Sequence, residues 1–327
     1  MRKYLICLSI LLLSCGKNDT EGINFKQGMR SFVQGLSSWS RAIKPGFIII
    51  PQNGQELLTL SGEQGGAADL TYMASIDAVG REDFLYGYDK DDEPTSQEDR
   101  DYMKWFLDMA RQHGLRVLVT DYCSTAAKMD DSYATNLAEG YLSFAADHRG
   151  LDNIPTYPSA LTGENSDSIS DLSQVRNFLY LIDPAHYASK QAMIDAICNT
   201  NYDLLIMDLF FNDNTAFTAS EVESMRVKKN GGRRMMICYM SIGEAENYRY
   251  YWKDGWKTGN PSFIKTQNPE WKGNYKVAYW DKTWQNIIFG NDDSYLKKIL
   301  DAGFDGTYLD IIDAFESYEN PPNLIGR

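Results

Sequence analysis

Histidine and cysteine are scarce in this 327-residue chain, three of the first and five of the second. His113, His148 and His186 lie far apart, and no Cys-x-x-Cys or His-Glu-x-x-His spacing occurs, so a zinc centre is not expected and no metal is assigned. The same shortage argues against a metal-dependent deacetylase. No Gly-x-Ser-x-Gly elbow is present, which argues against an esterase. Cys7 falls in an N-terminal leader, and the scattered Cys123, Cys198 and Cys238 make no disulfide framework. Cys123 and Cys238, near strand ends, read as small buried hydrophobes, with a single bridge left open by an oxidising compartment. No low-complexity segment divides the chain. The apolar run in MRKYLICLSILLLSCGKND is too short to span a bilayer.

That leader has Arg2 and Lys3 before its apolar stretch, as a secretory signal does. Its Leu12-Leu13-Ser14-Cys15 end resembles a bacterial lipobox, which implies cleavage before Cys15 and acylation of its thiol. The chain is then expected to be lipid-anchored to the bacterial cell envelope, facing the periplasm or exterior, and to meet the membrane through the lipid alone. The plainer alternative is an ordinary signal peptide with an incidental cysteine. The expected organisation is a signal at 1–14, an anchor and linker at 15–24, and one domain at 25–327. Removing residues 1–14 takes away two bases and no acid, moving the formal charge from −13 to −15. Such a surface repels nucleic acid and suits neutral or cationic partners. A monomer is expected.

Several apolar runs end in polar residues: 47–54, 117–122, 204–211, 235–244, 276–281 and 305–310, with weaker ones at 75–83 and 153–159. Their near-continuous hydrophobicity is that of strands buried on both faces. Helical patterns lie between them. Ser96 to His113 has acids in its first turn and Gly114 after it, Thr218 and Glu221 form a capping box, and Tyr295 to Ala302 is closed by Gly303. Eight parallel strands alternating with helices predict an α/β fold, a (β/α)8 TIM barrel, with its chemistry at the strand C-termini.

Acids gather at those ends. In FDGTYLDIIDAFE, Asp310, Asp313 and Glu316 sit at or beyond the end of an apolar run. A buried carboxylate costs several kcal/mol unless paired or used, so these are candidates for chemistry, although Asp310 or Asp313 could simply cap the next helix. Asp208, Asp281 and Asp121 end three other strands, and Glu244 and Glu246 follow a fourth. Aromatic residues make up 13% of the chain and crowd residues 247–284, among them Tyr248, Trp271 and Trp280. Gly and Pro there exclude one long helix. Such rings suit the apolar faces of sugars, though any single one could pack the loop onto the barrel.

The blocks MSIGEAENYRYYW, NPEWKGNYKVAYWD, FDGTYLDIIDAFE, FIIIPQNGQELL and AVGREDFLY resemble the bacterial branch of glycoside hydrolase family 114, the endo-α-1,4-polygalactosaminidase family. That family is a (β/α)8 barrel. The block order differs: the PQNG strand opens this chain and the YLD strand closes it. The chain therefore looks circularly permuted, with family order 5-6-7-8-1-2-3-4, and the helix at 27–43 is expected near the strand at 306–310. The family's chemistry is attributed to two carboxylates, which fall by motif on Asp310 of YLD and Glu82 of GRED. Asp310 is taken as nucleophile or base and Glu82 as acid. Asp313 is the rival to Asp310, and Asp83 or Glu56 to Glu82.

The function this implies is an extracytoplasmic glycoside hydrolase, endo-acting, cutting an α-linked galactosamine-rich or related polysaccharide or oligosaccharide without a cofactor. Asp208, Glu244, Asp281 and Asp121 form an acidic set able to recognise protonated amino sugars. Gln52, Asn53, Tyr122, Tyr157, Ser241 and Arg249 are hydroxyl or carboxylate partners, with a loop-fixing salt bridge to Glu244 or Glu246 as the alternative for Arg249. The rival function is a non-catalytic surface glycan-binding lipoprotein on the same barrel.

Overall fold

The computed structural model describes residues 22–212 and 214–319. The leader and Cys15 lie outside the described residues. The chain runs α1 (Phe25–Ile43), β1 (Ile48–Pro51), α2 (Leu70–Met73), β2 (Ala78–Glu82), α3 (Gln97–Gln112), β3 (Arg116–Tyr122), α4 (Ala126–Glu139), β4 (Leu142–Ala146), β5 (Phe178–Leu181) and α5 (Lys190–Cys198). It continues through β6 (Leu204–Met207), α6 (Ala219–Met225), β7 (Met235–Ser241), β8 (Glu244–Glu246), β9 (Ile264–Gln267), β10 (Asn274–Val277), α7 (Lys282–Ile288), α8 (Tyr295–Asp301), β11 (Gly306–Asp310) and α9 (Glu316–Glu319).

Parallel pairing builds one sheet in the order β1-β11-β7-β6-β5 and a second in the order β2-β3-β4. The first and last of these strands are neighbours, with Ile48 opposite Gly306 and Pro51 opposite Leu309. The two sheets meet beside β1, where Asp77 N–H donates to Ile49 O and Asn53 N–H to Gly80 O, both at 2.9 Å. At the other seam, Phe144 of β4 faces Phe178 of β5 with ring centroids 5.7 Å apart. Parallel strands alternating with helices make the arrangement TIM-barrel-like. Every residue of β1, β5, β6 and β7 is buried, which is why their sequences read as unbroken apolar runs. Gly80 is forced by this interior: a Cβ there would stand 2.0 Å from the Tyr308 hydroxyl.

The helix signals act as read. Ser96 accepts from Asp99 N–H at the start of α3, Thr218 and Glu221 cap α6 reciprocally, and Gly303 follows α8 with φ of 87°. Helix α1 lies against α8 and against the turn Ile312–Phe315 that follows β11, and Lys44 Nζ donates to Phe304 O at 2.7 Å.

Two strand assignments are corrected. Residues 153–159 form no strand, since Pro155 and Pro158 lack the N–H groups that a ladder needs. The run at 276–281 is not a barrel strand either: it begins in β10, which pairs antiparallel with β8 and β9 in a separate small sheet, and then turns into α7. The strands in their places are β4, with the weak β-formers Ala145 and Ala146, and the four-residue β5. β4 is too mixed, and the four-residue β5 too short, to stand out by periodicity.

Candidate active site

The C-terminal ends of the parallel strands surround a cavity of about 780 Å³. Glu82 ends β2 and Asp310 ends β11. Gln52, just past β1, donates from one side-chain nitrogen to Glu82 Oε2 and, at 3.1 Å, to Asp310 Oδ1. Its own carbonyl accepts from the Tyr180 hydroxyl at 2.9 Å, so every polar atom of this buried amide is used within the protein. Glu82 also accepts from Asn53 Nδ2 at 3.0 Å and from the Tyr122 hydroxyl. Asp310 accepts from the Tyr239 hydroxyl at 2.6 Å and from Ile311 N–H at 2.8 Å. Burial, then the Glu82 charge, pushes the Asp310 carboxyl up to about 7, against the Tyr239 and backbone donors.

The backbone leaves each strand abruptly. Asn53, Asp83 and Ile311 directly follow Gln52, Glu82 and Asp310, and all three are left-handed, with φ of 61°, 60° and 57°. For β-branched Ile311 this conformation is costly, and strain of this kind collects where a side chain must be aimed. Asp313, one turn beyond Asp310, lines the same cavity and has no hydrogen-bond partner for its carboxylate among the described residues. Burial, with Glu316 and Asp310 nearby, pushes it up to about 8.

The far wall holds an ion triad. Arg249 bonds Asp208 at 2.7 Å and Glu246 at 2.5 Å, and all three are buried. Burial raises the Asp208 carboxyl despite Arg249. The hydroxyl of Tyr248 donates to Glu246 at 2.7 Å. Glu244 is buried, and burial raises its carboxyl against the side chains of Asn268 and Asn274; Oε1 accepts from Asn268 at 2.9 Å. The small sheet β8-β10-β9 carries this wall outward to Asn274 and the half-exposed Trp271 at the rim.

Of the residues singled out from sequence, Gln52, Asn53, Glu82, Tyr122, Asp208, Glu244, Glu246, Tyr248, Arg249, Trp271, Asp310 and Asp313 line this cavity. Others do not, and most of these are engaged elsewhere. Asp121 is fully buried and accepts from Leu85 N–H, Tyr86 N–H, Ser132 and Asn136, which fixes the loop after β2. Asp281 caps α7 through Thr283 N–H. Trp280 packs between Phe25 and Tyr318, with centroids at 5.0 and 4.8 Å. Tyr157 bonds Asp130 on the surface, and buried Ser241 donates to Glu244 O at 3.4 Å. Asp83 turns from the cavity to pair with Arg149 at 2.9 Å, and Glu56 accepts from Tyr102.

Tyr180, Tyr239 and Arg149 are among the cavity residues that escaped the sequence reading. Tyr180 lay in an unrecognised strand, Tyr239 was hidden in an apolar one, and Arg149 comes from the loop after β4. Two histidines distant in sequence also meet, His148 and His186 both contacting Asp152. Among the described residues no group of His, Cys, Asp and Glu is disposed to hold a metal, and Cys123, Cys198 and Cys238 are free thiols.

The model of glycoside-hydrolase family GH114 matches residues 151–324, just over half of the chain. The chain belongs to that family. The GH114 match takes in Asp208, Arg249 and Asp310, while Gln52, Glu82 and Tyr122 precede it. Similar curated proteins are an uncharacterized protein of Deinococcus radiodurans, 39% identical over 132 residues (40% of each chain). Another, from Methanocaldococcus jannaschii, is 41% identical over 153 residues, 47% of this chain and 41% of its own. A third, from Thermotoga maritima, is 36% identical over 120 residues, 37% and 35% of the two chains. The chain thus spans about two-fifths or less of the length of the curated relatives it matches.

Proposed function

We propose that this GH114 protein hydrolyses glycosidic bonds with Glu82 and Asp310, acting within an α-linked, galactosamine-rich or related polysaccharide. The observation that carries the reading is the single nitrogen of Gln52 held between the two carboxylates at the cavity floor. Two acceptors of one donor lie within about 6 Å of each other, twice an ordinary hydrogen-bond length. That spacing suits a double displacement with retention rather than the wider gap that admits a water for inversion.

Glycoside cleavage needs one carboxyl protonated and one ionised. The raised proton affinity of Asp310, from burial and the nearby Glu82 charge, supports placing the proton there in the resting pair, the reverse of the roles expected from sequence. A Glu82 oxygen then bonds to the anomeric carbon as the C–O bond to the leaving sugar breaks, and the leaving oxygen takes the Asp310 proton. Water, deprotonated by Asp310, releases the product from Glu82. Trp271 and Tyr248 offer ring faces at the rim, and the largely acidic lining favours a cationic or hydroxyl-rich chain over an anionic one.

The ring is read as closed between β4 and β5, and the chain order as a permutation of the family's. The adjacency of β1 and β11, the first and last of the parallel strands, is compatible with that order. The Leu-Leu-Ser-Cys leader supports an envelope-anchored protein facing periplasm or exterior.

The deciding experiment is release of reducing ends from partly deacetylated poly-α-1,4-galactosamine by the soluble form beginning at Gly22, beside Asp310→Asn and Glu82→Gln. Each substitution is expected to lower kcat by about 10²-fold or more. A parent that binds the polymer and releases nothing would make the protein a glycan-binding lipoprotein instead.

A further inference from the structure

Tyr122 closes β3 with its ring buried and its hydroxyl donating to Glu82 Oε1. The guanidinium carbon of Arg149 lies 4.0 Å from the centroid of that ring. Three acceptors hold Arg149 there: Asp83 Oδ1 and Gly87 O, 2.9 and 2.7 Å from Nη2, and Asp91 Oδ1, 2.9 Å from Nε. Asp83 follows Glu82 directly, so one clamp joins the ends of β2, β3 and β4. Gly87 is part of it: its φ is 115°, and a Cβ would stand 2.4 Å from Asp83 Oδ1 and 3.0 Å from Tyr122 Cβ.

We propose that Arg149 is a positioning residue for the hydrolytic reaction, which stacks on Tyr122 and so aims and strengthens the hydrogen bond from the Tyr122 hydroxyl to Glu82. This rests on the reading of Glu82 as a member of the carboxylate pair. A cation over an aromatic face draws electron density from the ring. The phenol becomes a better donor, and in a water-poor site that bond weighs more on the carboxylate than it would in solvent. A mere tie between loops would need the three acceptors but not the stacking.

The groups facing Glu82 bear on how this is read. Asp83, Asp310 and Asp313 bring carboxyl groups, and Tyr122, Tyr180 and Tyr308 bring buried phenols, each raised by burial. Positive charge comes from Arg81 beside Asp83 and from Arg149, which is stacked on the ring that donates to Glu82.

The test is a double-mutant cycle of Arg149→Met and Tyr122→Phe on the protein, read by kinetics and by ¹³C NMR titration of the Glu82 side-chain carboxyl, assigned with Glu82→Gln. Arg149→Met is expected to lower kcat about tenfold with KM changed less than about threefold. It should move the acidic limb of kcat/KM, and the NMR midpoint, to higher pH by about half a unit or more. In the Tyr122→Phe background it should move neither further. Asp91→Asn, which loosens the clamp at its exposed end, should shift both in the same direction by less, and it decides the matter if Arg149→Met does not fold. An unmoved midpoint in the variants, or an equal shift with and without the Tyr122 hydroxyl, overturns the proposal. A parent without hydrolytic activity overturns the glycosidase reading instead, and the NMR cycle still decides whether Arg149 acts through Tyr122.

Discussion

Glu82 and Asp310, 228 positions apart in the chain, share one hydrogen-bond donor, the side-chain nitrogen of Gln52. Two carboxylates so close repel each other unless a proton or a donor lies between them. Gln52 supplies the donor, and Tyr180 fixes the face of the amide that points to them.

Gln52→Leu removes that bridge at nearly constant volume. It is expected to lower kcat by about 10- to 100-fold and to destabilise the fold by about 1–3 kcal/mol, because the Tyr180 hydroxyl and both carboxylates lose a partner. Steady-state kinetics and urea unfolding measure the two effects. Unchanged kcat would show that the pair holds its geometry without the amide.

The pH dependence follows from Asp310. Its carboxyl is raised to about 7 and must be protonated to serve as the acid, so kcat/KM should fall as pH rises through about 7. The same shift favours the folded state below the unfolded carboxyl pKa, and this stabilisation is lost as pH rises through the folded one. In Glu82→Gln the neighbouring charge is gone, so Asp310 should titrate at lower pH by ¹³C NMR. A midpoint that stays put would leave burial as the whole cause.

Arg249→Met strands Asp208 and Glu246 without their cation. Breaking a buried pair from one side costs about 3–5 kcal/mol, and a loss of that size is expected in urea unfolding at pH 7. The loss should shrink as pH falls and Asp208 takes up a proton. A destabilisation below about 1 kcal/mol at pH 7 would mean that water reaches the triad.

Trp271 is 54% exposed at the cavity rim, so its removal leaves no hole in the core. Trp271→Ala should raise KM about 3- to 10-fold, the scale of one lost stacking contact, with Tm unchanged. An unaffected KM together with a lowered Tm would make the ring a packing residue of the small sheet.

The sequence alone determined the parts of this protein that depend on neighbours along the chain. Buried strands such as β6 and β7 show as unbroken apolar runs because both faces are covered, and the caps of α3 and α6 show because capping is a contact over three residues. The acids at strand ends were visible for the same reason. What only the tertiary structure decided is which of them meet. Asp121 and Asp281 look like Asp208 and Asp310 in sequence, yet Asp121 is spent on holding a loop and Asp281 on capping a helix. Gln52 becomes the link between Glu82 and Asp310 only because β1 lies between β2 and β11, and Arg149 reaches Tyr122 only across β3 and β4. Local pattern sets an element's type, whereas long-range strand pairing sets a side chain's neighbours, and the proton affinity of a buried carboxyl is a property of those neighbours.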